Sequence, residues 1–326
     1  MRLRTRLTER FDIEHPIISA PMGMVAGGRL AAAVSNAGGL GLIGGGYGDG
    51  GWLEREFSAA GNAKVGCGFI TWSLAHRPEL LDQVLARKPA AVMLSFGPVT
   101  AFAAQIRHSG VPVICQVQSM AHAREAVGAG AEVIVAQGGE AGGHSGNRST
   151  FTLVSEVADY LAKTAPDTLL VAAGGVADGR SLAAALMLGA DGVLVGTRFY
   201  ATQEAMGPGA AKERIVAASG DKTIRSILFD IARRNVWPAP FTGRVLRNEF
   251  SERWRGREAE LMQHQAEEAA RYDKARQEGD FDTAAVIAGE GVDMISDIPP
   301  AKDVVDRMVK EASALLAGSN RYRVSA

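Results

Sequence analysis

Long apolar runs are missing from this chain. No stretch of 18 uninterrupted apolar residues occurs, so no segment reads as a transmembrane helix. An excess of one charge is missing too. Thirty-five Lys and Arg balance 36 Asp and Glu, for a net charge of -1, which gives no electrostatic reason to expect nucleic acid or a membrane as partner. Arg2, Arg4, Arg6 and Arg10 cluster near the start, but Glu9 and Asp12 accompany them and no apolar signal-peptide core follows. Cysteine is scarce. Cys67 and Cys115 lie far apart, without metal-ligand spacing, each inside an apolar run. They read as buried thiols of a reducing cytosol, so a cytoplasmic location and no metal site are expected. The P-loop, H-E-x-x-H, C-x-x-C and G-x-S-x-G motifs are also absent.

Glycine is what the chain has in excess, 39 residues in all, most of them before about residue 220. Between the glycine clusters run short apolar segments: Ile17–Ala20, Leu40–Ile43, Val65–Ile70, Ala91–Leu94, Val113–Val117, Val133–Ala136, Leu169–Ala172 and Gly192–Val195. Each is followed by a stretch of helical character. Strands that are apolar throughout belong to a parallel sheet covered by helices on its faces. Eight strand-then-helix units predict an α/β fold, a (β/α)8 TIM barrel, in preference to a doubly wound open sheet.

The barrel is expected to span residues 1–205. Residues 206–295 read as a mostly helical insertion that covers the barrel mouth. Within it, Arg244–Glu278 interleaves eight basic and eight acidic residues, the pattern of solvated helices laced with ion pairs. Pro299-Pro300 breaks the chain, and the amphipathic stretch Ala301–Ala317 is expected to return as the eighth barrel helix, so that residues 296–326 complete the barrel. The tail after Gly318 is expected to fray.

Three glycine-bearing turns carry chemistry. Gln137-Gly-Gly-Glu-Ala-Gly-Gly-His-Ser-Gly146 follows the sixth strand and holds His144 four residues after Glu140. Five glycines in ten positions predict a loop rather than a strand or helix, and a strand that ends in such a loop suggests an active site on a rigid scaffold. Ala173-Gly174-Gly175 and Gly196-Thr197 end the seventh and eighth strands, where barrels build phosphate sites from unobstructed backbone N–H groups. Gly39-Leu-Gly-Leu-Ile-Gly44 satisfies G-x-G-x-x-G but is itself a strand, so no dinucleotide site is assigned. Ser145 is too close in sequence to His144 to pair with it as a nucleophile. His144 therefore reads as a proton donor, acceptor or electrostatic partner. The other histidines are expected to be structural or exposed. Met22 either lines the mouth or belongs to the core.

Taken together, Ala20-Pro21-Met22, Ala33–Gly41, Gln137–Gly146, Ala173–Gly179 and Gly196–Phe199 resemble the nitronate monooxygenase (2-nitropropane dioxygenase-like) family over about residues 10–205. The resemblance implies non-covalent FMN, its phosphate on Gly174, Gly175, Gly196 and Thr197, and its ring system against Ala20, Pro21 and Met22. Gln116, Gln137 and Gly138 match positions facing the flavin, and His144 matches the catalytic histidine beside it. The implied reaction is oxidation of an alkyl nitronate by O2 to nitrite and a carbonyl product, with a homodimer left open. The asparagine that many members carry at the end of the third strand is missing, since Gly66-Cys67-Gly68-Phe69 stands there. The rival functions are an NAD(P)H-dependent enoyl-acyl-carrier-protein reductase sharing the Glu-Ala-Gly-Gly-His loop, a quinone reductase on the same barrel, and a non-catalytic flavin binder.

Overall fold

A computed structural model describes residues 2–318; the tail expected to fray lies outside the described residues from 319 onward. Eight parallel strands form the barrel: β1 (Ile17–Ser19), β2 (Gly41–Gly44), β3 (Val65–Ile70), β4 (Val92–Ser95), β5 (Val113–Val117), β6 (Val133–Gln137), then β8 (Leu169–Ala173) and β9 (Gly192–Val195). Between them comes β7 (Gly143–Ser145), which is not a barrel strand. The hydrogen-bonded order runs β1, β9, β8, β6, β5, β4, β3, β2, and a parallel bridge from Ile18 to Leu40 joins the two ends. The TIM barrel is present, and the open-sheet alternative is excluded.

Period-two alternation explains why these strands are apolar on both faces. Ile18, Leu42, Met93, Ile114, Val133, Val135, Val171 and Leu194 fill the interior. Their neighbours Ile17, Cys67, Val92, Cys115, Ile134, Leu170 and Val193 face the helices. Strand β3 turns two glycines to the interior: a Cβ at Gly68 would overlap the Pro21 ring, and one at Gly66 would crowd Leu42. At the base, Leu7 and Phe11 of the helix Arg6–Phe11 plug the barrel. The helix Ala301–Ala317 packs against both Gly179–Met187 and Gly28–Asn36, occupying the eighth helical position. Both cysteines are free and buried. Burial pushes the thiols up, Cys115 to about 12 and Cys67 further still, so neither is a thiolate nucleophile. No helix among the described residues is long and apolar enough to cross a membrane.

Residues 206–295 are helical in large part, including Gln265–Glu278 with its Arg253–Glu268 and Lys274–Glu278 pairs. The helical pattern missed a hairpin. Strands β10 (Thr223–Ser226) and β11 (Thr242–Leu246) are antiparallel, and β11 also pairs with β7. The expectation that the glycine-rich stretch would hold no strand is therefore corrected. Gly143–Ser145 is extended because β11, about a hundred residues later, supplies its hydrogen-bond partners. A separate core built on Leu228, Phe229, Phe250, Trp254, Tyr272 and Val292 holds this part together.

Candidate active site

The carboxyl ends of β1, β5, β6, β8 and β9 open onto one cleft. It is lined by Ala20, Met22, Gln116, Gln137, Gly174, Gly175, Gly196 and Thr197, together with Glu140–Gly142, Ile287, Gly289 and Gly291. Eight of the sequence-derived cofactor residues thus meet there. Pro21 and Gly138 do not line it. Pro21 leans onto Gly68, and a Cβ at Gly138 would overlap Thr150 and the Glu140 carboxylate. Gly138 is a glycine because Glu140 folds back to accept from Thr150 N and Oγ1 (3.0 and 2.8 Å), capping the helix Thr150–Thr164. A larger cavity of about 400 Å³ lies near Lys64, Arg87 and Pro89. It opens at the amino ends of β3 and β4, the face of a barrel that serves stability rather than chemistry.

The donor set suits an anionic, nucleotide-like ligand. A Cβ at Gly196 would meet nothing nearer than Ala20 Cβ at 3.6 Å and Met22 Sδ at 3.8 Å. Protein packing therefore does not demand glycine there; a side chain would simply fill the cleft. Thr197 Oγ1 accepts from Gly289 N at 3.0 Å, which leaves its O–H free to donate into the cleft. Sequence reasoning missed the segment Ile287–Gly291. The two closely spaced glycines Gly289 and Gly291 were the available signal.

His144 sits on β7, immediately beyond the residues that line the cleft. Gln137 Nε2 donates to its carbonyl at 3.1 Å, and Gln118 Nε2 donates to Gln137 Oε1 at 2.9 Å. Arg225 and Arg244 both donate to Gly139 O, at 3.2 and 3.0 Å, and Arg225 also holds Ser145 O at 2.6 Å. The imidazole-bearing strand is thus tied from both sides. Opposite His144 stands Gly243, where a Cβ would come within 3.5 Å of Nε2.

The partner of the imidazole was not recognised from sequence. His144 Nε2 lies 2.9 and 3.1 Å from the two carboxylate oxygens of Asp230, which is only 5% exposed and is also held by Arg233 Nη2 at 2.7 Å. A lone carboxylate in the apolar run Ile227-Leu-Phe-Asp-Ile231 was the available signal, because a buried charge requires a partner. Burial holds His144 below the ordinary histidine range; Asp230 pulls upward, and Arg233 and Arg225 push with burial. The ring is therefore neutral near pH 7, with Nε2–H donated to Asp230 and a lone pair on Nδ1.

The other face of the ring is covered. The Trp237 indole stacks on it at 3.4 Å between centroids and 5° between planes. Phe96, Trp72 and Phe241 meet Trp237 edge-on at 5.1, 5.5 and 6.5 Å, and Tyr47 lies at 6.2 Å and accepts from Trp237 Nε1 at 3.0 Å. His122, taken from sequence as having no functional context, stands 5.9 Å from Phe241 at the edge of this cluster. The expectation for the other histidines holds where they are exposed, as at His76 and His108, and His15 is buried away from the site.

Replacing Asp230 by Asn keeps the shape and removes the charge that raises the His144 pKa. If turnover needs the neutral ring, the acid limb of the kcat profile is expected to move to lower pH, with kcat down at least about tenfold as the ring loses its carboxylate brace. The same sign governs stability. A histidine held neutral in the fold binds its proton more readily when unfolded, so its contribution is complete above about pH 6.5 and lost as pH falls. A pH–rate profile and pH-dependent melting of both proteins test this.

A closed parallel barrel with a glycine-walled cleft at its carboxyl rim and a carboxylate-braced imidazole beside it has the site where TIM-barrel enzymes carry their chemistry. The chain belongs to the nitronate monooxygenase family, whose model matches residues 4–64 and 71–311, and that family is flavin-dependent. A nitronate monooxygenase of Neurospora crassa is 33% identical over 91% of this chain and 88% of its own length. A Mycobacterium tuberculosis protein named (3aS,4S,5R,7aS)-5-hydroxy-7a-methyl-1-oxo-octahydro-1H-indene-4-carboxyl-CoA dehydrogenase is 36% identical over 69% of this chain. The match spans 63% of that relative's length, and 60% of its Rhodococcus jostii counterpart. Among solved structures, FabK of Thermotoga maritima superposes with a TM-score of 0.87 at 32% identity, covering 98% of this chain and all of FabK. The nitroalkane oxidase of Streptomyces ansochromogenes gives 0.78 at 26%, covering 97% of this chain and all of that one.

Proposed function

We propose that the cleft binds FMN and that the enzyme oxidises alkyl nitronates with O2, releasing nitrite and a carbonyl product. The observation that carries this reading is that one short segment, Gly138–Ser145, serves both functions: its Glu140–Gly142 part walls the cleft and its His144 presents the imidazole. Cofactor and titratable group are therefore held in fixed relation. Gly174, Gly175, Gly196 and Thr197 would hold the phosphate. Ala20, Met22, Gln116 and Gln137 would border the ring system, and Pro21 and Gly138 would support them from behind. When bound, FMN supplies the electron acceptor. The residues do the rest. His144 Nδ1 would act as a base on the conjugate acid of the substrate, taking the α-proton of the nitroalkane so that the C–H pair becomes the C=N bond of the nitronate; Asp230 would stabilise the imidazolium so formed, and that cation would then steady negative charge on the nitro oxygens. The half-buried aromatic cluster around Trp237 limits the access of water to the reacting carbon.

A reductase or dehydrogenase acting on an acyl thioester is the second reading. It is favoured by the similarity to FabK and by the name of the mycobacterial relative. One experiment separates the two. The purified protein is expected to show a flavin spectrum, and released cofactor to run as FMN. Given ethyl nitronate and O2 it should form nitrite, and given NADH or NADPH with an enoyl thioester or a quinone it should consume little pyridine nucleotide. Fast pyridine nucleotide oxidation with no nitrite would reject the first reading in favour of the second.

A further inference from the structure

The face of His144 is not open to a substrate, because an indole lies flat on it. Trp237 occupies a box whose walls come from four places: Tyr47 after β2, Trp72 after β3, Phe96 after β4, and Phe241 at the start of β11. These walls stand over the carboxyl ends of β2–β4, next to the cleft at β1, β5, β6, β8 and β9. The box is therefore continuous with the mouth of the barrel but lies on the side away from the glycine turns. Three of its walls belong to the barrel's own connections. Phe96 sits on the strand-to-helix turn, and Trp72 opens the short helix Thr71–Leu74. Its content comes from outside the barrel. Trp237 rides on the connection Arg234–Pro240, where Arg234, Val236, Pro238, Ala239 and Pro240 are exposed. One polar contact of its side chain, to the Tyr47 hydroxyl, lies at the protein surface. The Trp72 Nε1–H is buried among these rings without an acceptor among the described residues, an unused donor at the wall of the box.

We propose that the box is the subsite for the substrate's organic group, and that Trp237 is a specificity-determining lid whose indole holds the place of a flat, ring-bearing apolar group. The proposal rests on His144 being the residue beside the reacting atom. A planar aromatic group can repay the loss of the indole, because it re-forms the same stack on the imidazole and the same edge contacts with Trp72, Phe96 and Phe241. An ethyl or propyl group cannot fill that volume and must bind with the lid only partly displaced. The favoured substrates are thus nitronates whose carbon bears an aryl or fused-ring group. The Trp72 N–H would donate to an oxygen of such a substrate.

The test compares ethyl nitronate with the nitronate of phenylnitromethane on the flavin-loaded enzyme. The aryl substrate is expected to have at least a tenfold higher kcat/KM, mostly through KM. Benzyl alcohol, an unreactive aryl probe, is titrated in parallel while acrylamide quenching of tryptophan emission is followed in wild type and Trp237→Phe. Displacement of the lid predicts that the probe raises quenching in wild type and leaves Trp237→Phe unchanged. Equal kcat/KM for the two nitronates, or a probe that shields Trp237 further, would overturn the proposal by making the indole a fixed wall. A protein that oxidises neither nitronate but shows the quenching change would lose its proposed function and keep its lid.

Discussion

Replacing His144 by alanine is expected to leave the flavin bound and to lower kcat with nitronate by about 10²- to 10⁴-fold, the usual contribution of a positioned acid–base group. Structural collapse would not account for such a loss. β7 pairs with β11 through backbone atoms, which alanine keeps. The Gly139 and Ser145 carbonyls remain held by Arg225 and Arg244. Asp230 keeps Arg233 as its partner at 2.7 Å, so no buried carboxylate is left alone. What disappears is the only titratable group facing the Trp237 box from β7. The pH profile separates the chemical role from a mechanical one. Wild type should lose activity toward acid as the ring charges, and the alanine variant should lack that limb while its flavin absorbance stays constant. An unchanged kcat, or a reduced kcat with the acid limb intact, would take His144 out of the chemistry.

The barrel was legible because its code is local. Each of the eight strands is buried on both faces and so reads as a short apolar run, and most of them end in a turn with glycine that marks the transition to a helix. The glycine turns at 174–175 and 196–197 could be placed at one rim as soon as the strand count was known. What stayed hidden was non-local. Nothing near Gly143–Ser145 announces a strand, since its partner Thr242–Arg244 comes about a hundred residues later. Asp230 and Trp237 lie in a segment whose overall pattern is that of a solvated helical lobe, and only the tertiary fold brings them to His144. Gly138 is a different case. The rule that glycine marks close approach of backbone to a ligand is sound, but here the approaching group is the protein's own Thr150–Glu140 cap.

The same distinction between glycines kept for packing and glycines kept for a ligand yields the second large effect. Gly174 has φ +99° and a Cβ there would press on Thr150 Oγ1 at 2.8 Å. Gly196 has φ -106°, a value open to other residues, and its surroundings would accept a Cβ at ordinary contact distance. Gly174→Ala is therefore expected to cost about 1–3 kcal/mol of folding stability through backbone strain and crowding, lowering the urea midpoint whether or not flavin is present. Gly196→Leu is expected to fold with the midpoint of the flavin-free wild-type protein and to lose at least tenfold in FMN affinity, because the side chain enters the cleft between Ala20, Met22 and Thr197, the space that the phosphate would take. Gly196→Ala should fall between wild type and leucine in affinity and match both in fold. Titrating FMN into flavin-stripped protein, with urea unfolding of the stripped forms alongside, reads the two effects separately. If Gly196→Leu bound FMN as wild type does, the phosphate would have to lie elsewhere, and Gly196 would be explained neither by packing nor by a ligand.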